Sequence, residues 1–267
     1  MLNSFLDIIN QILPEPQASL LNGILFGVKT ALPKDFYQAL ITTSTVHITA
    51  LSGQNITILS QIVSRITLPL GRKISIWTTV TTIIVFVWFV GFEPTIVRAA
   101  IMGSIALLAV YFGKRNWSLL SLILAAAIML LVNFDWSKTI SFQLSFLATL
   151  GIILFSGFEP SPKKVTLFSE IKRELKLNLR TTLSAQILTI PLIFFYFRQI
   201  SLISPLTNIL IASLIAPIMA LGFITAICGW LFLPLGQVVG WIVWVPLTLL
   251  ILMVELTAKI PFAAIKF

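Results

Sequence analysis

Histidine and cysteine occur once each in this sequence of 267 residues, at His47 and Cys228, and only nine residues are acidic. A lone cysteine cannot close an intrachain disulfide, so redox chemistry has no basis here. Zinc hydrolysis needs grouped His, Cys or carboxylate ligands, and neither those nor an H-E-x-x-H pattern is present. No Gly-rich loop with a lysine cradles a nucleotide phosphate, and no G-x-S-x-G elbow presents a nucleophile. Ser52 and His47 lie five apart and would point in different directions on a helix, which disfavours a Ser/His dyad. The chain therefore reads as non-enzymatic, with no metal, no cofactor and no catalytic residue expected.

Charge is scarce too: 10% of residues are charged and 58% are hydrophobic, against roughly a quarter charged in ordinary soluble domains. About 20 apolar residues carry a helix across a hydrocarbon core about 30 Å thick, and such stretches recur here to the C-terminus. No segment resembles a cleavable leader followed by a soluble chain. The expected fold is all-α, a polytopic transmembrane helix bundle of about 7–9 membrane segments, some broken or re-entrant.

Residues 1–17 read as an N-terminal interfacial helix ending near Pro14, and 18–32, short and containing Lys29, as a tilted or re-entrant piece. Spans are expected at 74–92, 96–112, 117–133, 140–157, 179–197 and 236–257. Residues 202–233 exceed one ordinary crossing, and Pro205 and Pro217 suggest a broken helix or a tight pair. Net charge is +9, and its placement tests this map. Arg65, Arg72 and Lys73, then Lys114 and Arg115, then Lys163, Lys164, Lys172, Arg173 and Lys176 in the 158–178 loop alternate with loops holding Glu93, or Asp135 and Lys138. Positive loops stay in the cytoplasm, so a multi-pass protein of the cytoplasmic (inner) membrane is expected. The stretch 169–180 reads as an amphipathic cytoplasmic helix leading into the next span.

Polar groups in a bilayer need partners or water, so clusters of them mark interiors or cavities. Thr42, Thr43, Ser44, Thr45, His47, Thr49, Ser52, Gln54 and Asn55 interrupt one apolar stretch. On an unbroken helix Thr43, Ser44, His47 and Gln54 would share a face, and Ser52-Gly53 is the expected interruption. A broken helix offers free backbone groups and the positive end of a half-helix, both suited to an anion. Arg98 follows Glu93 and Pro94; it snorkels, pairs with Glu93, or meets a phosphate. Ser141 and Ser145 share a face with Gln143 nearly opposite, and Asn208 sits in a Pro-broken stretch. For each, interhelical hydrogen bonding is the competing reading.

Taken together, HITALSG (47–53), EPTIVRAAIMG (93–103), SFQLSFLATLGIILF (141–155), AQILTIPLIFFYF (185–197) and SPLTNIL (204–210) resemble, in order and spacing, the membrane-embedded competence domain of the ComEC DNA-uptake family. The resemblance covers roughly residues 20–260, assigned as the competence domain over 18–260. It implies a channel passing single-stranded DNA across the cytoplasmic membrane during natural transformation. His47, Ser52, Gly53, Gln54, Asn55, Arg98, Gln143, Ser145 and Asn208 are then the candidates for the DNA path. Expected partners are single-stranded DNA, membrane lipids, a DNA receptor and a cytoplasmic helicase. Two departures stand out. Family members often carry Ser-Gly-Leu-His where this chain reads Ser52-Gly53-Gln54-Asn55. The OB-like and metallo-β-lactamase-like domains of larger members are not expected in these residues: either this is a compact stand-alone relative, or separate chains supply those parts, or the sequence is a fragment of a larger protein. A small-solute or lipid transporter and a non-transporting scaffold are the competing functions; the first predicts saturable flux of a small substrate, the second indifference to polar-to-apolar changes.

Overall fold

The computed structural model describes residues 2–28, 32–157, 167–197, 199–201, 203–260 and 264–266. Eleven helices account for most of them: α1 Leu2–Ile12, α2 Gln17–Phe26, α3 Lys34–Thr42, α4 Gly53–Thr67, α5 Arg72–Val90, α6 Pro94–Tyr111, α7 Ser118–Val132, α8 Ile140–Phe155, α9 Leu167–Phe197, α10 Ser204–Leu231 and α11 Leu233–Ala258. Two strands, β1 Gln199–Ser201 and β2 Ala264–Lys266, pair antiparallel with Ile200 opposite Ile265, a small departure from the all-α expectation.

Among the described residues five helices are long and apolar enough to cross a membrane: α5, α6, Lys176–Tyr196 within α9, α10 and α11. α7 and α8 are apolar but shorter, at 15 and 16 residues. Glycines at positive φ, Gly71 and Gly91, bracket α5 where the chain must turn and no Cβ clash arises. α10 corrects one expectation, since it is a single helix of 28 residues rather than a broken pair. Pro205 sits in its first turn, where no helical N–H is needed, and the helix continues through the exposed Pro217 with the loss of one backbone hydrogen bond. At 1.5 Å per residue it spans about 42 Å, so it crosses tilted or protrudes.

Two apolar cores form. In one, Ile9 and Ile12 of α1, Leu20, Leu21, Ile24 and Leu25 of α2, Phe36 and Leu40 of α3 pack with Ile218 and Met219 of α10 and Val243, Leu247, Leu250 and Val254 of α11. The other joins Leu51, Ile56 of α4, Ile83, Phe86 and Val87 of α5, and Ile96 of α6, and Phe223 touches both. α1 seats Ile12 in a notch of small residues: a Cβ on Gly240 would lie 2.2 Å from Ile12 Cγ2, and one on Gly236 would lie 2.8 Å from Ile12 Cδ1. The same notch lets α10 and α11 meet at Gly229 and Gly236. The N-terminal helix is thus docked on the bundle through its apolar face. On the far side α8 approaches α9 closely, Gly151 lying against the Ser184 carbonyl. α9 runs unbroken through the expected amphipathic stretch into its span. Lys29, and Lys163 and Lys164 of the basic loop, lie outside the described residues.

Candidate functional site

The polar segment leaves the helix earlier than expected. α3 ends at Thr42, Ser44 takes φ 55, a 3-10 turn covers Val46–Thr49, and Ala50 to Ser52 are extended before α4 opens at Gly53. Short hydroxyl side chains compete with the helical ladder for backbone groups. Thr43 Oγ1 donates to the Ala39 carbonyl at 2.8 Å and shares a 2.7 Å bond with Thr45 Oγ1, while Thr49 Oγ1 donates to the Val46 carbonyl at 2.8 Å. The common face of Thr43, Ser44, His47 and Gln54 therefore does not exist: Thr43 is buried and bonded internally, whereas Ser44, His47 and Gln54 are exposed on different backbone elements.

Asn55 is a fastener. Its Nδ2 donates to the Ile24 carbonyl of α2 at 2.8 Å in a buried contact, and its Oδ1 accepts from Ser52 Oγ at 3.0 Å. Gly23 supports the same junction, since a Cβ there would lie 3.1 Å from the Thr49 carbonyl oxygen. Ser52 does not cap α4 with its side chain, so the N–H groups of Gly53 and Gln54 open the helix toward whatever lies beyond. His47 Nδ1–H donates to the Ser44 carbonyl at 3.0 Å.

Arg98 reaches this break from α6. Its Nη2 would lie 3.1 Å from a Cβ on Gly53, beside Ala99 Cβ at 3.2 Å, so the bare glycine lets the guanidinium lie close against the start of α4. Nε donates to Ser145 Oγ at 2.7 Å, Nη1 donates to Thr149 Oγ1, and the charge stands 6.0 Å from the centre of the Phe146 ring. Thr149 in turn donates to the Ser145 carbonyl at 2.9 Å, which fixes its own hydroxyl toward Arg98. No carboxylate among the described residues pairs with Arg98, so the Glu93 pairing is not formed. Hydroxyls and a ring hold the cation in place without neutralising it, and the arginine is left as a fixed positive charge one turn inside a membrane helix.

Of the expected residues, Gly53, Arg98 and Ser145 come together, and Ser52, next to Gly53 in the chain, bonds Asn55 instead. Gln143 does not join them: its Nε2 donates to the Ser137 carbonyl at 3.0 Å and its Oε1 accepts from Tyr196 at 3.4 Å, securing α8 to its preceding turn and to α9. Asn208 Nδ2 donates to Ser204 Oγ at 3.2 Å, which also receives Gln186 of α9, so it serves the α9–α10 contact. Sequence reasoning missed Thr149, four residues after Ser145 on the same face, and Thr95, whose hydroxyl donates to the Leu51 carbonyl at 2.9 Å and holds the extended stretch. A cavity of about 240 Å³ between the two cores is a different matter: Phe5, Phe26, Phe86, Phe89, Phe223, Ala226 and Ile227 line it, and nothing there can hold an anion.

A family model described as Competence protein matches residues 24–267. ComE operon protein 3 of Bacillus subtilis (strain 168) is 26% identical over 204 residues, covering 75% of this chain and 25% of its own length. The chain thus spans about a quarter of that relative. No solved structure matches.

Proposed function

The chain belongs to the competence protein family, and from that premise we propose that it forms the membrane passage by which single-stranded DNA enters the cytoplasm during natural transformation. The observation that carries this reading is the unneutralised Arg98 guanidinium set against the broken backbone at Gly53. A strand brings one phosphate charge per nucleotide, and a path must attract it without trapping it. One fixed cation, two hydroxyl-bearing neighbours and the free N–H groups of a helix start meet that requirement.

In this reading α5 to α11 all cross the cytoplasmic membrane, with α7 and α8 as short crossings, and the Arg72, Lys73, Lys114 and Arg115 end faces the cytoplasm. Arg72 Nη2 donates to the Val110 carbonyl at 3.1 Å, which places the start of α5 beside the end of α6 as alternating crossings require. The chain itself catalyses nothing; a DNA receptor, a helicase and OB-like or hydrolase domains act with it. His47 and Gln54 meet the strand, whereas Asn55 and Gln143 hold helices together and Asn208 steadies Ser204 at the start of α10. Deleting the gene in a naturally competent host tests the reading. Labelled external DNA should still bind the surface and no longer reach a nuclease-resistant state; unchanged entry would overturn it.

A further inference from the structure

The uncovered faces of the bundle are not alike. On α5 they present Ile74, Trp77, Ile84, Val85 and Trp88, and on α10 Ile224, Ile227, Trp230 and Leu231, as hydrocarbon demands. α4 differs. It packs between α5, α6 and α10, yet its exposed residues are Gln54, Thr57, Gln61 and Arg65, with Ile66 at the end. Spacings of three, four and four put the four polar residues on one stripe of the helix. At 1.5 Å per residue that stripe is about 16 Å long, enough to meet several successive groups of one strand's backbone. It starts at the break beside Arg98 and ends where Arg65, Arg72, Lys73, Lys114 and Arg115 are all exposed.

Resting on the function proposed above, we infer that this face of α4 is the wall along which the sugar-phosphate backbone of the strand slides, from Gly53 to the basic end. Two carboxamides offer neutral donors along it, Thr57 between them adds only a short neutral hydroxyl, no acidic residue interrupts them, and the single cation comes last. Thr57 Oγ1 donates to the Gly53 carbonyl at 3.2 Å, so its proton is held within the helix and the face stays neutral until Arg65. Weak, repeated contacts favour movement over capture. Lipid cannot cover such a face, because each unsatisfied carboxamide in hydrocarbon is costly.

The test uses the full chain in a competent host, with Cys228→Ser as background. Thr57→Cys and Gln61→Cys should react with a charged methanethiosulfonate, and Trp88→Cys should not. The double variant Thr57→Val, Gln61→Leu should accumulate normally and lower entry of labelled DNA at least tenfold. Parental entry in this variant, while Arg98→Met blocks entry, would overturn the α4 assignment and leave the proposed function standing. Gln61→Cys that resists the reagent and instead crosslinks to a second copy on oxidation would also overturn it, by showing the face to be an interface between copies. Loss of the gene without loss of DNA entry would overturn the function itself.

Discussion

Replacing Arg98 with methionine separates holding the bundle from handling the strand. The change removes two charge-assisted hydrogen bonds, to Ser145 and Thr149, each with a net value of about 1.5–3 kcal/mol. It also removes a cation from a membrane helix, where insertion scales put the cost at about 2.5–3.5 kcal/mol. The methionine stem keeps packing against Phe146, Thr149 retains its bond to the Ser145 carbonyl, and only the Ser145 hydroxyl must find a new partner, a neutral group whose loss is smaller than that of the charge. The opposing terms cancel to within about 3 kcal/mol, and the protein should persist in the membrane. Transport should not survive as well. One lost contact between a guanidinium and a phosphate, at about 1.5–3 kcal/mol, corresponds to roughly a ten- to hundredfold drop in DNA entry. Arg98→Lys should recover only part of it, because a point charge cannot hold Ser145 and Thr149 together while facing Gly53. The assay is nuclease-resistant uptake of labelled DNA, normalised to membrane protein by blotting. Arg98→Met with entry within twofold of the parent, at equal protein, would refute the reasoning.

Other positions separate structure from path. Asn55→Ala strands the buried Ile24 carbonyl and should lower stability by about 1–3 kcal/mol, read as reduced protein in the membrane rather than a specific uptake defect. Gly240→Ala drives a Cβ into Ile12 and should destabilise by about 1–3 kcal/mol, and Ile12→Ala should suppress the loss of protease resistance in detergent. In a Cys228→Ser background, Ser137→Cys should label with an impermeant thiol reagent in intact cells, and Lys114→Cys only after permeabilisation; the reverse pattern would invert the orientation.

The spans were legible because apolar runs in lipid leave little choice: 74–92 became Arg72–Val90, and 236–257 became Leu233–Ala258. Their packing was harder to read. Nothing local marks Arg98 as the neighbour of Gly53, 45 positions earlier, since only the tertiary approach of α6 to α4 creates the contact. The break itself was visible in the Thr and Ser run, yet its extent was not, because Thr43 and Thr49 spend their hydroxyls on local carbonyls. Gln143 and Asn208 show the converse case, where an amide in an apolar helix is structural fastening: Gln143 bonds the preceding turn and Tyr196 of α9, and Asn208 bonds Ser204 one turn back in its own helix. Pro217 misled in a third way, since a membrane helix tolerates an interior proline at the loss of one backbone bond, and α10 continues through it.

The most direct test of the central claim is photocrosslinking during uptake. A benzophenone amino acid is placed at Gln54 and, as controls, at Trp88 and Leu131, which are 73% and 87% exposed on apolar faces. Irradiating competent cells while they import labelled DNA should yield a protein–DNA adduct from Gln54 and none from the controls. No adduct at Gln54, or equal adducts at all three, would contradict a path running past Arg98 and the start of α4.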